Sequence, residues 1–235
     1  MKSTLYKIKR QFQKFLQHSD TLKSLIQLTE SNNFDQMELI HAIKQYPDFA
    51  PAQKDQEMFS LMDIAKKTNI KTICEIGSYK GGSLFLLAQM ASKNASIISI
   101  DIDYPLEKRF LFGKFARKSQ KIKCIRGNTQ NPKTVESVRR ALSGRKIDLL
   151  FIDGDHSFFG VMNDFVRFSP LMSEKGIIAF HDIHPDFRMR YGVNSSSFVG
   201  GVPIFWEAIK KSGLTTTEII EDQEQDGYGL GFIYT

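Results

Sequence analysis

Two short runs of ionisable residues stand out in this 235-residue chain. Asp153-Gly154-Asp155-His156 follows the apolar stretch IDLLFI at 147–152, and His181-Asp182, with His184 just beyond, closes the stretch GIIAFH at 176–181. Carboxylates and imidazoles at the ends of buried strands are costly unless they are paired, liganded or opened to a cleft. If the two strands are neighbours, the clusters converge. Such a set can hold a divalent cation with positions left open, or form a hydrogen-bonded Asp–His network without one.

A second chemical feature lies upstream in TICEIGSYKGGS, residues 72–83. An apolar run containing Ile73, Cys74 and Ile76 ends at Gly77. A turn with Ser78, Tyr79, Lys80, Gly81 and Gly82 follows, and a helical pattern starts at Ser83. A strand, tight turn and helix leave backbone N–H groups free at the helix start, where a ligand can bind. The G-x-x-x-G-G spacing is not the G-x-G-x-x-G of a dinucleotide site. Glu75, on the strand itself, suits a ligand carrying a positive group. The next apolar run ends in Asp101, placed to accept hydrogen bonds from a ribose diol, with Asp103 close by. The run after that ends in Gly127-Asn128.

Apolar runs at 72–76, 97–101, 122–126, 147–152 and 176–181 alternate with helical patterns near 83–92, 105–118, 132–143 and 159–171. This alternation predicts an α/β fold with a doubly wound parallel sheet. Ligands in such sheets bind beyond the carboxyl ends of the strands, where these residues cluster. A helix near 203–212 and strands near 215–221 and 228–234 follow, with Asp226-Gly227 between the last two as in a hairpin. Residues 184–203 are polar and rich in Gly and Ser, and read as a mobile lid that orders over substrate. Arg188, Arg190 and Tyr191 in it are placed to reach an acidic or sugar substrate. Ahead of the first strand, helices are predicted over 4–30, around Met37–Ile43 after a break at Ser31-Asn32-Asn33, and from about Lys54 to Lys67. Residues 1–54 are expected to form a helical cap or oligomerisation segment, and 55–235 the ligand-binding domain.

The pattern E-x-G-x-x-x-G-x-S at Glu75–Ser83 resembles motif I of the class I S-adenosylmethionine-dependent methyltransferases, most closely the catechol and caffeoyl-CoA type O-methyltransferases. The element order over 55–235 is similar to their seven-stranded, mostly parallel sheet with an antiparallel end. The resemblance implies S-adenosylmethionine held by Glu75, Gly77, Ser78, Tyr79, Gly81, Ser83, Asp101, Asn128 and Asp153, with Asp101 on the ribose and the Asn128 loop on the adenine. It also implies a divalent cation, magnesium in the family, on Asp153, His181 and Asp182. The family has Asp-Asn where His181-Asp182 stands, and the imidazole softens the site. The family's catalytic lysine position falls on His156, a histidine able to take a proton from a substrate hydroxyl near neutral pH. The run IDGDHSFFGVMNDF followed by HDI resembles a bacterial branch that includes macrolide sugar O-methyltransferases and cephalosporin hydroxylases. Some members there place the second acid of D-G-D on the metal, so Asp155 competes with Asp153.

The implied activity is methyl transfer to a small-molecule or sugar hydroxyl. An oxygenase-like activity on the same fold and a nucleic-acid methyltransferase are the rival readings. The net charge of +6 favours nucleic acid mildly, but the chain lacks the Asn/Asp-Pro-Pro-Tyr/Phe motif of base-amino enzymes. A non-catalytic binding module is disfavoured by the intact Glu75, Gly77 and Asp101. A hydrophobic content of 41% and charged content of 25% are globular values. Cys74 and Cys124 fall in strands expected to be buried, without metal or disulfide spacing. The lysine-rich N-terminus lacks an apolar signal core and no run reaches membrane-spanning length, so a cytoplasmic home is expected.

Overall fold

The structure, a computed structural model, describes residues 20–27, 29, 35–104 and 106–235. Helices α1 (Gln36–Lys44) and α2 (Asp55–Lys67) lead into β1 (Thr72–Ile76), α3 (Gly82–Met90), β2 (Ser96–Asp101), α4 (Leu106–Gly113) and β3 (Lys121–Arg126). The chain continues through α5 (Pro132–Leu142), β4 (Ile147–Ile152), α6 (Phe158–Phe168), β5 (Met172–His181), α7 (Phe187–Tyr191), α8 (Val202–Lys211), β6 (Thr216–Ile219) and β7 (Leu230–Tyr234). The seven strands form one sheet in the order β3-β2-β1-β4-β5-β7-β6. Strands β1 to β5 run parallel, and β7 is antiparallel to β5 and β6. The sequence-predicted fold is the observed one. Strand order reverses between β1 and β4, so a crevice opens beyond their carboxyl ends.

Alternation along the strands divides the core. Ile73 of β1 packs into one cluster, whereas Cys74 and Ile76 face the other. The first cluster is roofed by α1, α2 and α3, and the second by α5, α6 and α8. Leu39, Ile40 and Ile43 of α1 and Met58, Leu61 and Met62 of α2 are buried with Leu84 and Phe85 of α3. Residues expected to cap the domain therefore share its core. The Asp35 side chain starts α1 by accepting the Met37 and Glu38 N–H groups. Of the helix expected over 4–30, residues 20–27 and 29 are helical; the rest, and the break at Ser31-Asn32-Asn33, lie outside the described residues.

Several local expectations change. Helix α4 stops at Gly113 rather than running to 118; it closes in tight turns, the Lys114 N–H donating to the Leu111 carbonyl at 3.0 Å and the Phe115 N–H to the Phe112 carbonyl at 3.1 Å. Cys124 is only partly buried, since β3 is the edge of the sheet. Asp226-Gly227 is not a tight hairpin turn: β6 ends at Ile219 and β7 begins at Leu230, and Asp226 serves the longer connection. Its carboxylate accepts the Phe187 N–H at 2.7 Å, the Ser195 hydroxyl at 2.7 Å, and the Ser196 N–H and hydroxyl at 2.8 and 3.0 Å. Residues 184–203 contain α7, and these bonds tie them to Asp226. Arg190 adds donations to the Gln223 and Glu224 carbonyls at 3.0 and 3.1 Å.

Candidate active site

The β1–α3 turn is built around a fully buried carboxylate. Glu75 accepts the Ser78 hydroxyl on Oε2 and the Ser83 hydroxyl on Oε1, both at 2.6 Å. Ser78 in turn touches Ser99, which pairs with the Tyr104 hydroxyl at 2.8 Å. Burial pushes the Glu75 carboxyl up to about 7, against the lowering effect of the two serines. Glu75 thus ties the turn together from inside. Asp101, at the end of β2, faces outward and accepts the N–H groups of Tyr79 and Asp103, each at 2.8 Å. Gly77 has a φ of +87°, and a Cβ there would lie 1.9 Å from the Asp153 carbonyl oxygen. A side chain would wedge apart the ends of β1 and β4, so the turn requires glycine.

A cavity of about 880 Å³ opens over these strand ends. Gly77, Tyr79, Asp101, Asn128 and Thr129 reach it from beyond the ends of β1, β2 and β3, and Asp153, Asp155, His156, His181 and Asp182 from the ends of β4 and β5. Ser196, Ser197 and Phe198 from the segment after α7, Tyr228 before β7, and Ala52 before α2 also line it. Glu75, Ser78, Gly81 and Ser83 do not line it. Their places are behind the turn, where they set its shape. Arg188, Arg190 and Tyr191 are also absent from the wall; Arg190 is engaged with backbone carbonyls instead.

Asp153, His181 and Asp182 converge, with one ligand atom of each within 4.8 Å of the others. His181 Nδ1 lies 3.2 Å from Asp153 Oδ1 and 3.5 Å from Asp182 Oδ1. His156 Nε2 is 3.4 Å from Asp153 Oδ1, and its Nδ1 is 3.3 Å from Asp182 Oδ2. His156 Nδ1 also donates to the Phe198 carbonyl at 2.7 Å. A carbonyl oxygen only accepts, so Nδ1 carries a proton and Nε2 is the nitrogen free to exchange one. Asp155 stands apart from this group. It accepts the Ser157 N–H at 2.9 Å and the Gln130 amide at 3.1 Å, shaping the loop after β4. Asp182 has a φ of +61°, a left-handed conformation that costs a non-glycine residue roughly 1–3 kcal/mol and is characteristic of functional sites.

Burial opposes the charge in this cluster, but the charges hold one another. The His181 and His156 imidazoles keep Asp153 below the usual carboxylate range against its burial. Burial, aided by Asp153, pushes Asp182 up. His156 is raised to about 9, because Asp153 and Asp182 outweigh its burial. That departs from the near-neutral imidazole expected from sequence: without a further cation, His156 holds its proton.

Two participants were not foreseen. Glu57 of α2 is fully buried, with Oε2 3.2 Å from His181 Nε2. Gln53 donates from Nε2 to Asp153 Oδ2 at 2.5 Å. The one available signal was the position of Glu57 on the inward face of α2, in register with Met58, Leu61 and Ala65. A carboxylate there needs a partner within the fold.

The family profile described as a methyltransferase domain matches residues 74–183, from β1 through the end of β5. Just under half of the chain therefore carries a likeness to methyltransferase domains. Among curated proteins, the chain is 34% identical over 122 residues to the uncharacterized protein R132 of Acanthamoeba polyphaga mimivirus, covering 50% of this chain and 53% of the relative. The chain thus spans about half the length of that relative. Among solved structures, a Staphylococcus aureus protein described as a candidate caffeoyl-CoA O-methyltransferase superposes with a TM-score of 0.64 at 20% identity, over 91% of this chain and 98% of that one. An O-methyltransferase of Bacillus cereus in complex with S-adenosylhomocysteine gives 0.61 at 15% identity, over 86% and 92%. At these identities the likeness is one of fold. Within the matched residues, the glycine turn, Asp101 and the β4 and β5 acids surround a single cavity.

Proposed function

We propose that the protein is an S-adenosylmethionine-dependent O-methyltransferase acting on a hydroxyl of a neutral small molecule or sugar, assisted by a divalent cation. The observation that carries this reading is that the ends of β1–β3 and those of β4 and β5 bring two kinds of residue to one cavity. Gly77, Tyr79, Asp101, Asn128 and Thr129 suit a nucleoside, and Asp153, His156, His181 and Asp182 form a reactive group, the reactive half of the wall, in the same cavity. S-adenosylmethionine, when bound, supplies an electrophilic methyl group on a sulfonium.

Asp101 would accept the ribose hydroxyls, while the backbone around Gly77 lets the donor approach closely. In the reactive half, two carboxylates and one imidazole converge. This donor set suits an oxygen-preferring divalent cation better than the two-imidazole, one-carboxylate set of an oxygenase. Asp153, Asp182 and His181 Nδ1 would hold it. A divalent cation, when bound, orients an acceptor hydroxyl and lowers its pKa. His156, fixed through Nδ1 by Phe198, would take the hydroxyl proton on Nε2. Ser196, Ser197, Phe198 and Tyr228 would enclose the acceptor and exclude water.

Among the described residues, no lysine or arginine lines the cavity, whereas Asp101, Asp153, Asp155 and Asp182 do. Such a wall disfavours an anionic acceptor or a nucleic-acid backbone and favours an uncharged polyol. Calorimetry with S-adenosylmethionine, with and without Mg²⁺, tests the cofactor, and labelled methyl transfer to neutral glycosides against acidic phenols tests the acceptor. Preferred binding of NAD with no S-adenosylmethionine binding sinks the reading. For the metal, Asp182→Asn is the informative variant, since asparagine tolerates the left-handed backbone. Full turnover in excess chelator together with a silent Asp182→Asn rejects the cation and leaves an Asp–His base.

A further inference from the structure

Two side chains that precede the matched residues 74–183 grip two of the candidate ligands. Gln53 lies just before α2 and Glu57 in its first turn, and both are buried. Glu57 Oε1 accepts the Gly229 N–H at 2.6 Å; Oε2 accepts the Lys54 N–H at 2.9 Å and faces His181 Nε2 at 3.2 Å. A carboxylate opposite Nε2 requires a proton on that nitrogen. The opposite ring nitrogen, Nδ1, is then the one turned to Asp153 and Asp182. Metal-bound histidines commonly donate their second N–H to a carboxylate, which fixes both tautomer and ring orientation. Gln53 holds Asp153 in a matching way: its amide occupies Oδ2 and leaves Oδ1 facing His181.

A bland role also exists. Glu57 joins the start of α2 to the loop before β7, which a neutral glutamine could do in part. The feature that this role leaves unexplained is the alignment with His181, in a site where burying a full charge is costly.

We propose that Gln53 and Glu57 are positioning residues of the metal site: Glu57 sets His181 to bind through Nδ1, and Gln53 sets Asp153 to bind through Oδ1. The proposal rests on the metal reading of this site given above. It makes the approach to α2 part of the working enzyme, although the contact spans 124 positions of sequence.

The test uses the full chain and Mn²⁺ as probe, with free Mn²⁺ followed by electron paramagnetic resonance. Glu57→Gln should weaken Mn²⁺ binding by roughly 10–100-fold, the usual cost of losing an outer-shell partner. Gln53→Ala should weaken it less, and S-adenosylhomocysteine affinity should be unchanged in both. With Cd²⁺ as a diamagnetic probe, ¹⁵N spectra of the wild type should show His181 coordinated through Nδ1 and protonated on Nε2. Mn²⁺ affinities equal to wild type in both variants, or Cd²⁺ coordination through Nε2, overturn the proposal. Equal losses of Mn²⁺ and S-adenosylhomocysteine binding also overturn it, since they would mark a purely structural role. A wild type that binds neither Mn²⁺ nor Cd²⁺ removes the metal reading itself, and this inference with it. Should Glu57→Gln fail to fold, Gln53→Ala and the wild-type spectrum decide.

Discussion

The Asp101 carboxylate, at the end of β2, accepts the backbone N–H of Tyr79 in the turn after β1 at 2.8 Å. Tyr79 itself sits at a φ of +42°, a conformation that a tyrosine keeps only when its surroundings hold it. The acid is therefore both a candidate ribose ligand and the clasp of the glycine turn.

Asp101→Ala should lose both functions. S-adenosylmethionine affinity is expected to fall by about 1–3 kcal/mol, the range for hydrogen bonds to a charged group. Asp101→Asn keeps an acceptor for Tyr79 and should fall less. Calorimetric affinities that are equal for wild type and Asp101→Ala would remove Asp101 from the donor site.

His156 makes a separable prediction. Its Nδ1 is committed to the Phe198 carbonyl, and its ring lies nearly parallel to that of Phe198 with centroids 6.1 Å apart. His156→Ala should lower kcat by roughly 10²–10⁴ as the loss of a general base, with donor affinity little changed. A kcat within a few-fold of wild type, measured with saturating donor, would reassign the proton transfer.

Asp226 gives a prediction about the segment over the cavity. Against a small burial penalty, donations from Phe187, Ser195 and Ser196 hold its carboxyl down to about 2. A depressed carboxylate tethers the segment above the unfolded pKa, near 3.9, and releases it as pH falls toward the folded value. Asp226→Ala should produce that release at neutral pH. Hydrogen exchange should then quicken across 187–199 while β1 and β4 stay protected. Unchanged exchange there would place the anchoring elsewhere, with Gly200 the alternative. Its φ is +58°, and a Cβ on it would meet the His156 carbonyl at 2.2 Å.

Glu75 predicts a dependence of stability on pH. Burial raises its carboxyl from 4.5 to about 7 in the folded protein. An acid shifted upward stabilises the fold fully below its unfolded pKa, and that contribution is lost as pH rises from about 4.5 through 7. A shift of this size corresponds to on the order of 3 kcal/mol. Glu75→Gln carries no ionisable group, so its stability should fall less across that interval. Urea denaturation of both proteins from pH 4.5 to 8 measures the difference; parallel curves would mean that Glu75 folds as an ordinary carboxylate.

The order of elements was legible in the chain because strand and helix periodicities are local properties, and alternation of the two leaves few topologies. Strand ends are local too. The sequence alone therefore assigns Gly77, Asp101, Asn128, Asp153, His181 and Asp182 to one edge of the sheet, and all line one cavity. The direction in which each side chain points beyond a strand end was not legible. It depends on turn geometry and on what packs behind. Glu75 turns inward onto Ser78 and Ser83, while Asp101 turns out to the cavity. Asp153 joins the imidazoles, while Asp155, two residues on, is taken by Ser157 and Gln130. The contribution of α2 was still less accessible. Glu57 reads as one more position in an amphipathic helix, and only the packing of α2 over the first core brings it to His181. Periodicity marks the face of a helix that is buried; which strand end that face meets is decided by the docking of the whole helix onto the sheet.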